Sequence, residues 1–179
     1  MPFRRPALAA AAALLFLPAG ALALDGSWIS DPATGCKAWA DTDKPEAVTF
    51  KWTAGCRDGY ATGTGTVNFF VQGRPAGWYS GPLVAGKAEG RGIRSYPDGV
   101  RYEGDWRDGR RTGQGVQKWP DGFRYEGGWK DDKASGSGTL VDPTGAAWTG
   151  TWLSGCLRRT AGQLRPPIAV GANDCPRRY

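Results

Sequence analysis

Hydrophobic and polar positions alternate in short runs along most of the chain, and the run 101–106 shows the pattern most clearly. Tyr102 and Trp106 fall on one face of an extended segment, because side chains in a strand point alternately to its two sides. Asp108 and Gly109 then form a two-residue turn signal, since glycine tolerates a positive φ. A second extended run follows the turn, so the pattern predicts a β-hairpin.

The hairpin pattern returns with a fixed period of 23 residues. The aromatic residues that open successive units stand at positions 79, 102, 125 and 148, and an earlier unit opens at Trp52. The first spacing is four residues longer, and the insertion lies near Gly73-Arg74-Pro75. A fixed period in this range is typical of repeat arrays, in which each unit packs on the next. The predicted structural positions of the repeat are Tyr79, Gly81, Tyr102, Gly104, Trp106, Gly109, Gly113, Gly115, Tyr125, Gly127, Trp129, Gly136, Gly138, Trp148, Gly150 and Trp152.

Paired glycines recur in the second strand of the hairpins, as at Gly113 and Gly115. Glycine normally weakens a strand, so its return at one place needs a physical reason. We expect these glycines to leave room for an aromatic ring of the neighbouring hairpin to lie flat on the backbone. Most of the recurring aromatic residues should therefore form the core between hairpins.

Two segments carry a resemblance to a known family. The sequences YEGDWRDGRRTGQG at 102–115 and YEGGWKDDKASGSG at 125–138 resemble the MORN (membrane occupation and recognition nexus) repeat. The first two units match more loosely, and the last is partial. The resemblance implies an all-β fold: a single-layer, elongated, twisted antiparallel sheet of successive hairpins with a concave groove, over 48–156. It also implies scaffolding, dimerisation or membrane association, without a fixed activity.

The first 23 residues have the features of a secretory signal peptide. Arg4 and Arg5 precede an apolar run, and Ala21-Leu22-Ala23 fits a cleavage pattern. The apolar run is much shorter than the roughly 20 residues that a membrane span requires. The alanine-rich form predicts a bacterial protein exported to the periplasm or secreted, with 24–47 as an N-terminal cap segment.

Four cysteines agree with export, because an oxidising compartment favours disulfides. Four cysteines allow three connectivities, and the sequence does not choose among them. Sequence proximity favours Cys36–Cys56 and Cys156–Cys175, one bridge at each end of the array. A metal site is the alternative, but the spacing is wide for zinc ligands.

Composition gives no support for catalysis. The chain contains no histidine, so neither a Ser-His-Asp nor a Cys-His nucleophile can form. Glu103 and Glu126 occupy one template position in successive units, which favours pairing with Arg101 or Arg124 over an acid–base pair. We therefore expect no catalytic residue, no cofactor and no bound metal.

The candidate functional surfaces are aromatic and basic. Half-exposed rings beside turns or strand ends predict a binding surface, for which the candidates are Trp119, Phe123, Trp78 and Tyr96. The net charge of +6 falls to +4 without the signal peptide. The basic tail or cap at 157–179 contains the candidates for anionic-lipid contact, which are Arg158, Arg159, Arg165, Arg177 and Arg178. The expected function is a non-enzymatic scaffold or binding module with a protein partner or self-association. Anionic membrane is the second candidate and polysaccharide the third, and no nucleic acid is expected.

Overall fold

The computed structural model describes residues 26–158, 166, 168–172 and 175. The predicted signal peptide and most of the basic tail lie outside the described residues. Within that part the chain forms strands, one 3₁₀ helix (Pro45–Ala47) and no α-helix. The strands are β1 Ser27–Ser30, β2 Lys37–Ala40, β3 Val48–Trp52, β4 Gly55–Arg57, β5 Tyr60–Val71, β6 Arg74–Val84, β7 Lys87–Ala88, β8 Gly90–Ser95, β9 Arg101–Arg107, β10 Arg110–Lys118, β11 Arg124–Lys130, β12 Lys133–Val141, β13 Ala147–Leu153 and β14 Cys156–Leu157.

All fourteen strands belong to one open sheet, in the order β1-β2-β5-β6-β8-β9-β10-β11-β12-β13-β14, with β3 and β4 paired to β5 and β7 paired to β6. The predicted all-β sheet of successive hairpins is confirmed. One pair in the sheet is parallel, because β2, which precedes the predicted array, meets β5 in a bridge at Lys37 and Tyr60. The disulfide between Cys36 and Cys56 explains this pairing, since it fixes the start of β2 beside β4, a neighbour of β5.

Corresponding residues of the units align in rows that cross the sheet. One row contains the tyrosines that open the units, and runs Trp52, Val67, Tyr79, Arg94, Tyr102, Gln117, Tyr125, Leu140 and Trp148. Tyr102 and Tyr125 have no exposed surface, and Tyr79 is 3% exposed. We call the side of the sheet that bears this tyrosine row the core face, and the opposite side the outer face.

The recurring tryptophans pack between the rings of the tyrosine row. Trp106 packs edge-to-face between Tyr79 and Tyr102, with ring centroids 5.5 and 5.2 Å apart. Trp129 repeats the arrangement between Tyr102 and Tyr125, at 5.1 and 5.3 Å. Trp152 continues the chain of rings beyond the last of these tyrosines, and all three tryptophans are buried. The recurring aromatic residues therefore form the core between hairpins, as the pattern predicts.

The glycines form a second row, and its role differs in one respect from the prediction. A Cβ at Gly92 would lie 2.5 Å from the Tyr79 hydroxyl, so the ring above a glycine belongs to the same unit. The neighbouring unit contributes a different contact, because the Trp106 indole nitrogen donates to the Gly92 carbonyl at 3.2 Å. The expectation that a neighbouring hairpin covers the glycines is thus wrong for the covering ring. Tyr79 and Trp106 stand on the two strands that flank Gly92, each diagonal to it in the register, and the tyrosine is the ring that lies over the glycine.

The hairpin turns bind one unit to the next. Asp108 and Gly109 have φ of 51° and 81°, as a two-residue hairpin turn requires. Each turn also donates a backbone hydrogen bond to the preceding unit, through Gly86 to Ala61, Gly109 to Ala88, Asp132 to Arg111 and Gly155 to Ala134, at 2.8 to 3.2 Å. At the C-terminal end, buried Val170 donates to Gly155 and accepts from Ala134.

The second disulfide joins Cys156 to Cys175 and closes the C-terminal end of the array. Both bridges are the pairs that sequence proximity favours. The four-residue insertion lengthens β5 and β6 into a longer hairpin whose turn is Gln72-Gly73. This longer hairpin pairs with β3, so the insertion extends the sheet at its N-terminal end.

Candidate functional site

The structure separates the four aromatic residues that the sequence suggests as a binding surface. Trp78 precedes the core tyrosine Tyr79 in the same strand, so its half-buried ring points to the outer face. Trp119 and Phe123 are half-buried, pack against the core and are joined by a backbone hydrogen bond of 3.0 Å across their turn. Tyr96 alone among the four lines a cavity.

The expected lipid contacts remain a prediction. Arg158 is exposed at the end of the last described strand region. Arg159, Arg165, Arg177 and Arg178 lie outside the described residues.

A cavity of about 280 Å³ lies between the β1–β2 hairpin and the core face. The hairpin contributes Trp39 and Asp41, and the array contributes Phe69, Arg94 and Tyr96 among the lining residues. Two contacts of Trp39 hold the hairpin against the array beside the cavity. The Trp39 backbone nitrogen donates to the Gly86 carbonyl at 2.8 Å, and a Cβ at Gly109 would lie 3.1 Å from the Trp39 ring. The first hairpin therefore acts as one wall of the cavity.

The tyrosine row changes in chemistry between its outer and its central units. Between the aromatic positions, the row holds Val67 and Leu140 in the outer units but Arg94 and Gln117 in the two central units. Val67 is 1% exposed and Leu140 is fully buried, so the position is an apolar core position elsewhere. Two consecutive units thus place a polar side chain in the core.

The family comparison agrees with this register. The MORN repeat model matches residues 79–101, 102–124 and 125–147. The chain carries three consecutive MORN repeats. The structure adds flanking units outside the matched residues, since Trp52 and Trp148 stand in the same row as the tyrosines of the repeats. No curated protein matches the chain.

Arg94 in the first MORN repeat is a half-buried cation whose Nη1 atom is fully buried. Its guanidinium stacks on Phe69, 3.8 Å from the ring centroid, and lies 5.0 Å from the Tyr96 ring centroid. Among the described residues no carboxylate forms an ion pair with Arg94, and its Nη1 is buried without a hydrogen-bond acceptor. Burial lowers the pKa of Arg94, while Tyr96 and Asp41 act in the opposite direction. The side chain therefore remains a charge that is only partly compensated.

Arg111 in the second MORN repeat provides the contrast, because its guanidinium is fully bonded. It donates to the Asp132 carboxylate at 2.9 Å, to the Asp132 carbonyl at 2.9 Å and to the Gln117 side chain. It also lies over the Trp129 ring at 4.6 Å. Gln117, the second polar member of the row, is thus satisfied within the array.

Asp132 occupies the turn position at which the other units have a glycine. Its φ is 66°, a conformation that glycine adopts with less strain, and its carboxylate is held by Arg111. Both Asp132 and Asp41 line the cavity. Burial and then Asp132 raise the pKa of Asp41, although nearby arginines oppose this shift. The cavity therefore has carboxyl groups near Arg94 but none paired with it.

The sequence contains a signal for Arg94 in the alignment of its repeat units. Aligning the units on the first aromatic residue places Val67, Arg94, Gln117 and Leu140 at one template position, and two polar residues at an apolar position mark a special site. Asp41 has no such signal, because the segment before the array does not repeat. Its approach to the cavity depends on the β1–β2 hairpin.

The carboxylates first considered for acid–base chemistry are on the outer face. Glu103 pairs with Arg101 at 3.8 Å, and Glu126 pairs with Arg124, each along one strand instead of across two. Within the described residues, no cluster of three or more His, Cys, Asp or Glu is arranged for a metal ion, and no helix is long and apolar enough to span a membrane.

Replacing Arg94 by Met is expected to raise the free energy of unfolding by about 1–2 kcal/mol, because the change removes an unpaired charge whose Nη1 is buried and keeps most of the volume. Urea unfolding followed by tryptophan fluorescence measures the effect. Arg101→Met, on the outer face, is the matched control and should change stability by less than about 0.5 kcal/mol. A less stable Arg94→Met protein would show that stacking on Phe69 outweighs the burial of the charge.

Proposed function

We propose that this protein is a non-enzymatic binding module that receives a segment of a protein partner in the cavity beside the first hairpin. The observation that carries the proposal is an aromatic-walled cavity lined by a cation, Arg94, whose Nη1 is buried and which has no ion-pair partner in the described part of the chain. Binding sites are typically concave and mostly apolar, with a few polar groups that orient the ligand. MORN repeats in the wall supply the rigid frame on which such a site depends.

The size of the cavity favours a side chain or two of a larger partner. Its volume of about 280 Å³ lies just below the 300–1,000 Å³ of small-molecule sites. A peptide that inserts one apolar group there would leave the rest of its length on the open core face and the rim. A protein segment therefore suits the site better than a long polysaccharide, which would need an extended row of exposed rings.

We also propose that binding takes place outside the cytoplasm. Two disulfides, one near each end of the array, support an oxidising location. An exported bacterial protein in the periplasm or outside the cell is the form of this proposal that the N-terminal sequence favours.

The test is selection of peptides from a displayed random library on the immobilised, oxidised protein. Val71 lines the cavity and is 41% exposed, so Val71→Trp should fill the mouth of the cavity with little effect on folding. Selected peptides are expected to bind this variant at least about ten-fold more weakly than the unaltered protein, which corresponds to roughly 1.4 kcal/mol.

Val84→Trp is the matched control, because Val84 is 57% exposed in β6 and does not line the cavity. Selected peptides should bind Val84→Trp as they bind the unaltered protein. Equal binding to both variants would place the peptide site elsewhere, and the absence of any selected peptide would contradict the proposed function.

A further inference from the structure

We propose that the cavity recognises a single carboxylate joined to an apolar or aromatic group, and that Arg94 is the residue that binds the carboxylate. The inference rests on the proposed function for the nature of the partner, a protein segment. It goes beyond that function by stating which chemical group the cavity selects.

The first argument is the state of the guanidinium. A buried arginine that has no carboxylate partner is a destabilising arrangement, and a bound anion would relieve it. In the neighbouring repeat, the guanidinium of Arg111 has hydrogen-bond acceptors, since it donates to Asp132 and Gln117. At Arg94 no carboxylate or amide acceptor corresponds to these among the described residues; the Tyr96 hydroxyl is a side-chain hydrogen-bond partner, and Nη1 lacks any partner. A carboxylate in the cavity would supply such acceptors, with the planar geometry that matches a guanidinium.

The second argument is the position of Arg94 in its row. Val67 and Leu140 show that the fold accepts an aliphatic residue at this place, so the array does not need a cation there. Val67 lines the same cavity as Arg94, so an aliphatic residue at this place is also compatible with the cavity itself. A charge at a position that packs well with an aliphatic side chain is explained by a ligand.

The apolar part of the ligand is set by the walls. Phe69 and Tyr96 flank the guanidinium, and Trp39 and Trp106 line the same cavity. Aromatic walls of this kind favour a ring or a branched aliphatic chain attached to the carboxylate. The apolar group would exclude water from the ion pair and strengthen it.

The charge of the ligand is limited by the carboxyl groups around the cavity. Asp41 and Asp132 both line it, with Arg110 beside them. The charge of Asp132 is neutralised by Arg111, and burial raises the pKa of Asp41. A second negative charge on the ligand would therefore lie beside carboxyl groups that are already removed from water. A monoanionic carboxylate therefore fits better than a dianionic phosphate.

The carboxylate could belong to the C-terminus of the partner or to an acidic side chain, and two pairs of probes separate these sources. N-acetylphenylalanine and its amide differ only in a terminal carboxylate. N-acetylglutamyl-phenylalaninamide and N-acetylglutaminyl-phenylalaninamide differ only in a side-chain carboxylate. Titration of the ¹⁵N-labelled full-length protein, followed through the indole N–H signals of Trp39 and Trp106, gives a dissociation constant for each probe.

At least one acid is expected to bind at least ten-fold more tightly than its neutral partner. The pair that shows the preference identifies the source of the carboxylate. In Arg94→Met the preference should fall below two-fold, and Arg94→Lys should retain part of it. Arg101→Met, on the outer face, should keep the full preference, and the outer-face indole of Trp78 should not shift. Thermal unfolding of each variant verifies that it is folded.

Equal binding of acid and neutral partner, a preference that survives Arg94→Met, or no saturable shift with either acid would each overturn the inference. The result is separable from the proposed function. Library peptides that bind in the cavity without needing a carboxylate would leave the binding module intact and remove the role of Arg94. Probes that bind while no library peptide does would leave the carboxylate site and remove the protein partner.

Discussion

Replacing Tyr102 by Ala is expected to lower the free energy of unfolding by about 3–5 kcal/mol, the largest effect of any single side chain considered for this protein. Tyr102 is fully buried, and its ring meets Trp106 and Trp129 edge-to-face. Its hydroxyl donates to the Asp105 carbonyl at 3.1 Å. Removing the ring leaves a cavity between two repeats and exposes the interface that couples the two ends of the array.

Urea unfolding of the oxidised protein, followed by circular dichroism, measures the loss. Tyr102→Phe is the matched control, since it keeps the ring and removes only one hydrogen bond, for an expected loss of about 1 kcal/mol. A loss below about 1 kcal/mol for Tyr102→Ala would contradict the assignment of the tyrosine row as the core. Unfolding in two separate transitions would show that the halves of the array no longer act as one unit.

The repeat itself could be predicted because its constraints are local. The two-residue turns, such as Asp108-Gly109, and the alternation of Tyr102 and Trp106 depend on the pleat and on the φ that each residue tolerates. A fixed period then places equivalent residues in register without any knowledge of distant contacts. The sheet and its aromatic core follow from this short-range information.

The direction of packing at the glycines could not be predicted from spacing. The period places an aromatic ring over Gly92, but a ring from either adjacent strand satisfies the spacing. The observed arrangement divides the roles, since Tyr79 covers the glycine and Trp106 bonds its carbonyl. Which ring approaches depends on the register of three strands together.

The cavity could be predicted only in part, because one of its walls comes from outside the repeat. The segment that contains Trp39 and Asp41 has no periodic signal, and its place over the core face depends on tertiary hydrogen bonds and on the Cys36–Cys56 bridge. Arg94 is within the periodic part, where the template singles it out as a cation at an aliphatic position. Some aromatic residues are expected from the sequence to form a binding surface because they lie near turns. Trp119 is one of them, and it packs against the core because the array also covers the rings beside its turns.

Replacing Gly115 by Ala is expected to lower the free energy of unfolding by about 2–3 kcal/mol, because a Cβ there overlaps the Tyr102 ring and hydroxyl. The backbone of Gly115 does not adopt a positive φ, so the effect reports the overlap and not a loss of conformational freedom. Gly55→Ala is the matched control, because a Cβ at Gly55 would meet nothing within 4 Å. The control should change stability by less than about 0.5 kcal/mol in the same urea measurement.

A double-mutant cycle decides whether the tyrosine is the cause. In a Tyr102→Ala background the space over Gly115 is empty, so Gly115→Ala should lower the free energy of unfolding by less than about 1 kcal/mol. A Tyr102→Leu background serves equally if the alanine variant is too unstable to measure, because leucine has no atom where the hydroxyl lies. An equal loss in both backgrounds would mean that the glycine row is required by contacts between backbones, such as the close approach of Gly104 and Gly115, rather than by the tyrosines. A large coupling energy would establish that each tyrosine and the glycine beneath it form one structural pair, which recurs from one hairpin to the next.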